Sequence, residues 1–518
     1  MDAIVVLDFG GQTAQLIGRR IREIGVYSEI LPGTAGAEEI TSLAGLVVKG
    51  IVLSGSPASV HDQDAPQPDP AVLELDVPVL GICYGLQQMV QRGGGEVARA
   101  TAREYGRARL RYRGDHPLFS EVPEGFTSWM SHGDHVLAVP EGARVVAESE
   151  HGVPAAIALG EQRVGIQFHP EVTHYEYGTA ILQNFAVGMA GAKREWSLEN
   201  YVDEASRTIR ATVGDAPVLL LISGGVDSTV VGALLLHALD PDQVHLMYID
   251  TGLMRKGESD EVAASLRRLG AKHLDLIDAG AEFLTALDGV DDPERKREII
   301  GDLFITVQQR EIESRIPGDY YLAQGTLYTD MIESGGGVGK YAHVIKSHHN
   351  VRSPLVAAKR EAGEVVEPLS RLYKDEVRRL GAIVGVSPDV ISRHPFPGPG
   401  LAVRILGAVT AEKCRILREA DAIYIEELRA RGLYDEIWQA FTVLLPVRSV
   451  GVTGDTRHYG YVVALRAVTS SDGMTADVYP FNADDLLAIS ARITNRVPEV
   501  GRVVYDVSSK PPATIEWE

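Results

Sequence analysis

Short apolar runs that stop at glycine, proline or serine recur along this chain, and most lead into a stretch with helical spacing. Residues 4–7 are closed by Gly10-Gly11, after which Ala14, Ile17, Ile21 and Ile24 return at intervals of three and four. Residues 46–53 end at Ser54-Gly55-Ser56-Pro57, residues 78–82 run into Cys83, and residues 164–168 run into His169-Pro170-Glu171. The same pattern restarts in the middle of the chain. Val218–Ile222 leads into Ser223-Gly224-Gly225-Val226-Asp227-Ser228 and then a helical run over 229–236. Residues 244–249 stop at Asp250-Thr251-Gly252, and residues 320–323 stop at Gln324-Gly325. Continuous rather than alternating apolar runs predict strands buried on both faces. Strands alternating with helices predict two doubly wound α/β sheets, with ligands at the carboxyl ends of the strands.

The pattern changes toward the end. Residues 394–400 carry three prolines and two glycines and cannot be helical, which reads as a rigid linker or substrate loop. A helical stretch over 411–431 follows, then strand-like runs at 441–445, 461–465 and 502–507, with a helix around 486–489. This predicts a small α+β unit. With a boundary at Gly188-Met189-Ala190-Gly191-Ala192, the expected domains are 1–192, 197–395 and 396–518. The total of 518 residues suits about three domains.

Composition narrows the setting. A net charge of −21 argues against a nucleic acid or an anionic membrane as the main partner. Two cysteines, Cys83 and Cys414, cannot form a disulfide framework, and no CxxC pair exists. The first residues lack a basic n-region and hold only a short apolar run, so neither a signal peptide nor a membrane span is expected. The expectation is a reducing, cytoplasmic protein, with Cys414 a buried helix residue of no chemistry.

Two turns carry chemistry. In the loop 223–228, two glycines let backbone approach an anion, and the following helix offers N–H groups and a favourable dipole to a phosphate. Ser223 and Ser228 add hydroxyls. Asp227 is out of place beside a phosphate unless Mg²⁺ lies between them. Ordinary helix caps would explain a bare Gly-Gly pair, but not all six residues after a buried strand, and the Walker pattern does not fit. At Cys83 a strand again meets a helix through a glycine-flanked residue, the nucleophile-elbow arrangement. A helix N-terminus favours a thiolate, and the N–H after the nucleophile suits an oxyanion hole. A lone cysteine is more often a structural one. His169, at a strand end with Glu171 two residues on, shifts the balance, because it supplies a base and the group that orients it.

On these residues the N-terminal part resembles the class I glutamine amidotransferases. The match comprises the Cys83 elbow with Gly85, Leu86 and Gln87, the stretch Gly165-Ile166-Gln167-Phe168-His169-Pro170-Glu171, the Ser54-Gly55-Ser56-Pro57 loop and, with less weight, Trp129-Met130-Ser131-His132-Gly133-Asp134. It implies hydrolysis of the glutamine side chain through a thioester, with release of ammonia. Gly55 would lie in the oxyanion or substrate loop, and Gly85, Leu86 and Gln87 beside the glutamine. Ser56 and Ala58 stand where Gly and Glu are more usual.

The loop 223–228 resembles the pyrophosphate loop of the ATP pyrophosphatases, which split ATP between the α and β phosphates and adenylylate a carbonyl oxygen. That resemblance implies ATP contacts by Ser223 to Ser228, Asp250 and Gly325, with Mg²⁺ on Asp227. Further stretches extend the likeness to members that aminate a purine nucleotide. They are Leu322-Ala323-Gln324-Gly325-Thr326-Leu327-Tyr328, Ile332-Glu333-Ser334, Lys346-Ser347-His348-His349-Asn350-Val351, Glu367-Pro368-Leu369, Lys374-Asp375-Glu376-Val377-Arg378 and His394-Pro395-Phe396-Pro397-Gly398-Pro399-Gly400-Leu401. The resemblance implies XMP as acceptor, with Arg297, Gln439, Lys510 and Glu516 as its contacts, and a homodimer formed through the C-terminal part. Lys510 also stands on its own chemistry, since a phosphate needs a cation. Thr329 replaces a usual Pro, and Arg352-Ser353-Pro354 replaces a usual Gly-Gly-Leu, in what reads as a mobile lid near Gly335-Gly336-Gly337 and Gly339. Another acceptor, such as an NAD precursor or a tRNA base, would come with a different C-terminal third, and the acidic balance speaks against tRNA. A non-catalytic binding protein on the same fold would normally lack Cys83, His169 or Asp227.

Overall fold

The computed structural model describes residues 1–11, 13–112, 116–172, 177–316, 318–334, 354–453, 456–470 and 475–518. The lid glycines at 335–337 and 339, the cluster 346–350 and the departure at Arg352-Ser353 lie outside the described residues. Two compact units are present: Met1–Tyr201 with Tyr328–Lys346, and Val202–Leu327 with Ser347–Glu518.

In the first unit, nine strands among the described residues form one sheet. Their order is Tyr27–Pro32, Asp2–Asp8, Val47–Leu53, Val79–Ile82, Arg163–Ile166, Pro154–Ala158, Arg144–Ser149, Glu96–Tyr112 and Thr127–Ala138. The first five run parallel, and the remaining pairings are antiparallel. The parallel strands are the continuous apolar runs; Val5, Val6, Ile51, Val52, Val79 and Leu80 are fully buried. The stretch 129–134 lies on the strand Thr127–Ala138, not on a turn. Adjacent placement of Val47–Leu53, Val79–Ile82 and Arg163–Ile166 brings three strand ends together, with Leu53 opposite Gly81 and Ile82 opposite Ile166.

The second unit holds a parallel sheet in the order His273–Asp278, Val244–Asp250, Val218–Ile222, Tyr321–Ala323 and Val365–Val366. In sequence terms this is third, second, first, fourth, fifth. The strand order reverses between Val218–Ile222 and Tyr321–Ala323, which opens a crevice at their carboxyl ends. The helix after the first strand spans Val226–Ala238 and starts three residues earlier than its apolar spacing suggests. Val226, Asp227 and Ser228 therefore form its first turn. Its apolar residues are buried on nearly every side, as expected of a helix covered by other elements.

Further along, Gln439–Thr453 and Thr456–Thr469 form a long antiparallel pair, and Val500–Tyr505 adds to the latter in parallel. Helices Ala411–Ala430 and Ala483–Arg496 cover this sheet. One apolar core runs without a break from Leu219, Met247 and Leu322 through Leu401, Ile405 and Tyr424 to Leu465, Ile493 and Val500. The proline-rich stretch over 394–400 is packed into that core rather than bridging solvent. His394 is buried, and its ring stacks on Tyr434 at 3.9 Å. Leu401 N–H donates to Leu253 O at 2.8 Å. Gly400 has φ +63°, and a Cβ there would sit 2.4 Å from Leu253 O. It opens the short 3₁₀ turn Gly400–Arg404.

Gly400→Ala combines left-handed backbone with contact against another main chain. We expect it to cost about 2–4 kcal/mol of stability, read as a lowered urea midpoint. A change below about 0.5 kcal/mol would show that this turn relaxes freely.

Candidate active sites

The first site is built where three parallel strands end. Cys83 follows the strand Val79–Ile82 and caps the helix Tyr84–Arg92, with φ 52° and ψ −102°. A non-glycine residue in that region stores about 1–3 kcal/mol of backbone strain, and here neighbouring contacts hold it. Cys83 N–H donates to Ile166 O at 2.7 Å. The flanking glycines are there for space: a Cβ at Gly85 would lie 2.4 Å from Leu53 O, and one at Gly81 2.7 Å from the backbone at Gly85 and Leu86. Leu86 and Gln87 occupy the first turn of that buried helix.

His169 and Glu171 follow the next strand. His169 Nδ1–H donates to Glu171 Oε1 at 2.7 Å, and Glu171 is fully buried. Burial alone would lower the imidazole's pKa. The Glu171 charge and hydrogen bonds with Cys83 and Glu171 outweigh it and raise His169 well above its ordinary value. With Nδ1 committed to the carboxylate, Nε2 is the nitrogen left to serve the thiol. Gly55 completes the group. A Cβ there would sit 3.2 Å from His169 Cε1 and 3.9 Å from Cys83 Cβ. Its loop is tied down by Phe9 N–H donating to Ser54 Oγ at 3.1 Å and Ser56 Oγ–H donating to Phe9 O at 2.9 Å. Gln87 Nε2 donates to Asp134 O at 3.0 Å and to Gln167 Oε1 at 3.3 Å, and Gln167 Nε2 donates to Cys83 Sγ at 3.5 Å. Gln87 thus reaches the thiol through Gln167, a residue whose side chain sequence reasoning gave no role. Cys414 is buried on its helix, and burial pushes its thiol up to about 11.

The second site is the crevice of the other sheet. Gly224 has φ +79°, and its Cβ would meet Val262 Cγ2 at 2.9 Å. Ser223 Oγ and Ser228 Oγ lie 3.2 Å apart, and Thr229 Oγ1–H donates to Gly225 O at 2.9 Å, which folds the loop back on its helix. A Cβ at Gly225 would find nothing nearer than Ser223 Oγ at 3.4 Å, whereas one at Gly325 would lie 3.6 Å from Asp227 Cβ and Ser228 N. Gly325 therefore faces the loop across the strand-order reversal. Asp250, at the neighbouring strand end, accepts from Gly252 N–H at 2.8 Å and Ser259 Oγ–H at 2.6 Å.

Two cations here were not read from the sequence as partners of the loop. Lys374 pairs directly with Asp227 Oδ2. Arg393 donates to Gly224 O and Glu258 Oε1, both at 3.3 Å. Asp227 Oδ1 is buried with no hydrogen-bond partner among the described residues. That idle acceptor suits one inner ligand of Mg²⁺, the rest coming from phosphates and water. No group of three or more potential metal ligands exists among the described residues.

The expected XMP contacts divide. Gln439 Nε2 donates to Glu516 Oε1 at 2.8 Å. Arg297 Nη2 donates to Glu518 O at 2.6 Å. Lys510 is placed by its backbone, which exchanges hydrogen bonds with Ala476 at 2.8 and 3.0 Å. Three fully buried cations frame this segment and were missed in the sequence. Arg404 pairs with Glu516, Lys296 donates to Glu518 Oε2 at 2.5 Å, and Arg466 donates to Ser508 O at 2.5 Å and Thr514 O at 3.2 Å. Arg404 and Arg466 each stand alone in a mainly apolar stretch, which was the available signal, whereas Lys296 is hidden in the charged run 294–298.

Comparison with known proteins follows the same divisions. Residues 5–189 match the profile of class I glutamine amidotransferases, residues 203–293 that of asparagine synthase, and residues 426–517 that of the GMP synthase C-terminal domain. Glutamine-hydrolysing GMP synthase of Aquifex aeolicus is 50% identical over 516 residues, spanning 99% of both chains. That of Bacillus subtilis is 50% identical over 518 residues, covering 100% of this chain and 99% of the relative. That of Geobacillus kaustophilus is 51% identical over 519 residues, with the same coverage.

Glu171→Gln removes the charge that raises His169, and burial then lowers the imidazole. A group whose folded value is raised stabilises fully below its unfolded value, 6.5 for this histidine, and loses that contribution as the pH rises through the folded value. The parent should therefore exceed Glu171→Gln in thermal midpoint most at about pH 6, with the gap narrowing in alkaline solution. A gap independent of pH would mean that the charge on His169 is not coupled to Glu171.

Proposed function

The chain belongs to the glutamine-hydrolysing GMP synthases, and from that membership we propose how its residues divide the work. The enzyme forms GMP from XMP with glutamine as nitrogen donor and ATP as the activating substrate. Overall, ATP, XMP, glutamine and water give GMP, AMP, pyrophosphate and glutamate. The observation that carries the assignment is the Cys83 elbow facing a His169–Glu171 pair, in a chain half identical to such synthases over its whole length.

Cys83 Sγ attacks the side-chain amide carbon of glutamine while His169 takes the thiol proton and delivers it to the departing ammonia. Water, activated by the same imidazole, then cleaves the thioester to release glutamate. Glu171 fixes the tautomer and supports the imidazolium. The N–H groups at Gly55 and after Cys83 receive the oxyanion in this reading, and Gly85, Leu86 and Gln87 line the glutamine side. At the second site the loop 223–228, with Asp250 and Gly325, takes ATP. The carbonyl oxygen at C2 of XMP attacks the α-phosphorus, and pyrophosphate leaves toward the helix N-terminus. Ammonia then adds at C2 and AMP departs. Mg²⁺, when bound, would neutralise phosphate charge, and Asp227 is the residue to hold it. Arg297, Gln439, Lys510 and Glu516 hold XMP, with Lys510 serving its phosphate.

We assign three domains, 1–192, 197–395 and 396–518, the last serving a homodimer. Exposed Val447, Val450, Val452 and Tyr459 on the long strand pair support that role. Among the described residues no helix is long and apolar enough to cross a membrane, and the cytoplasm, which supplies XMP, ATP and glutamine, is the setting that fits.

GMP formation from XMP and Mg-ATP, with glutamine or ammonium, tests the division. Cys83→Ala should lose glutamine-driven synthesis by about a thousandfold or more and keep the ammonium-driven reaction. Asp227→Asn should lower synthesis about a hundredfold with either donor. If Cys83→Ala abolished both, the two centres would not be separable; if the parent made no GMP, the acceptor would be wrong.

A further inference from the structure

The helix Val226–Ala238 is entered through a peptide plane that could face either way. Gly224 has φ +79°, and Gly225 has φ −72° and ψ 161°. With no side chain on either residue, sterics do not choose between the two orientations of the plane that joins them. Arg393 supplies the choice. Its Nη1 donates to Gly224 O at 3.3 Å. In a trans peptide the carbonyl and the next N–H point in opposite directions. The exposed Gly225 N–H is therefore turned away from Arg393 and toward the loop hydroxyls, where it makes a long bond of 3.4 Å to Ser223 Oγ. Turned over, the same plane would withdraw that donor and put a carbonyl oxygen in its place.

The guanidinium is itself held from behind. The same Nη1 donates to Glu258 Oε1 at 3.3 Å, and Nη2 to Glu261 Oε2 at 3.0 Å. Glu258 is buried and already accepts from Arg255 N–H at 3.0 Å. Glu261 is 67% exposed, and an ion pair open to water stabilises little. The bond to Gly224 O is the contact through which Arg393 acts on the loop.

We propose that Arg393 is a positioning residue that locks the Gly224–Gly225 peptide so that the Gly225 N–H faces pyrophosphate. This rests on the reading that the loop 223–228 takes the phosphates of ATP. A charged donor binds a carbonyl more strongly than a neutral one does, and that carbonyl is one a phosphate would repel. Arg393 acts through the peptide and not by touching the anion.

Such a lock has a consequence that charge alone does not. Turning the plane over carries Gly225 to positive φ with ψ still near 161°, backbone closed to nearly every residue but glycine. In the observed orientation a Cβ at Gly225 would find nothing nearer than Ser223 Oγ at 3.4 Å. Gly225→Ala therefore holds the plane without help from Arg393.

Equilibrium binding of pyrophosphate, with Mg²⁺, to the full chain tests this. The set is the parent, Arg393→Gln, Arg393→Lys, Gly225→Ala, the double Arg393→Gln/Gly225→Ala and Glu261→Gln, with thermal unfolding to establish that each is folded. Arg393→Gln should weaken pyrophosphate by about tenfold or more. Whatever Gly225→Ala costs by itself, adding Arg393→Gln to it should cost less than about threefold further. Glu261→Gln should stay within about threefold of the parent. Arg393→Lys keeps the charge but cannot span the carbonyl and both carboxylates, and should recover only part of the affinity; it replaces Arg393→Gln throughout if that variant does not fold. Should Gly225→Ala bind no pyrophosphate, the structure of the Arg393 variant decides, with the Gly224–Gly225 peptide turned over as expected or unturned against the proposal. An equal loss from Arg393→Gln in both backgrounds, pyrophosphate binding like the parent's in Arg393→Gln, or an equal loss in Glu261→Gln would each overturn it. If the parent itself does not bind pyrophosphate, the reading of the loop 223–228 fails first and the proposal falls with it.

Discussion

A parallel strand that ends against the start of a helix leaves several backbone N–H groups aimed at one small volume. Both reaction centres are built on that arrangement. It demands close approach of main chain to main chain, and side chains are excluded from particular positions. Gly81 and Gly85 lie against neighbouring backbone around Cys83, and Gly55 lies against the Cys83 and His169 side chains. Gly224, with φ +79° and the Val262 side chain 2.9 Å from where its Cβ would sit, does the equivalent for the loop 223–228. The chemistry differs because the residue at the turn differs. A strained cysteine offers sulfur to a carbonyl carbon. In the role proposed for it, a glycine pair with serine hydroxyls offers N–H and O–H donors to phosphate.

The energetics of the second unit follow from how few charges are left unanswered. Lys296, Arg404 and Arg466 are fully buried, yet each is bonded to carboxylate or carbonyl oxygen from the last dozen or so residues. Burying a cation costs several kcal/mol unless it is paired, so the C-terminal segment and these three residues stabilise one another. The segment carrying Lys510 and Glu516 is thereby ordered by interactions that need no nucleotide. Preordering lowers what binding must later spend on entropy.

Much of this was legible in the sequence, and the limits have physical causes. The parallel strands are continuous apolar runs because they are covered on both faces, and that makes them conspicuous. The elbow and the phosphate loop sit at their ends, so Cys83, His169, Glu171 and residues 223–228 could be found without coordinates. The antiparallel half of the first sheet was not. Within Glu96–Tyr112 the exposed Arg109 and Arg111 alternate with half-buried Ala108, buried Leu110 and half-buried Tyr112, a signal easily taken for an ordinary polar surface. The proline-rich stretch at 394–400 reads in sequence as either a linker or a substrate loop because its local conformation is legible there and its burial is not. Lys374 and Arg404 escaped for a related reason. Their partners, Asp227 and Glu516, lie 147 and 112 residues away in the chain, and nothing local to a lysine or arginine reports a distant carboxylate.

Asp227 shows why such pairings matter to function. A carboxylate at a helix N-terminus beside a phosphate site is held by opposing influences: the dipole favours it and the phosphates oppose it. In this structure Lys374 takes one oxygen and leaves the other buried and idle. On the proposed reading, arriving ATP would bring up to four negative charges to this place, and the Lys374–Asp227 pair would have to loosen, recruit a further cation, or both. Lys374 is half exposed while Asp227 is more enclosed, so the lysine is the partner with room to turn toward phosphate. The carboxylate, anchored on the first turn of a buried helix, would stay to meet the cation proposed to accompany ATP. On the proposed roles, the ion pair is a resting arrangement of two groups that would both meet the same substrate.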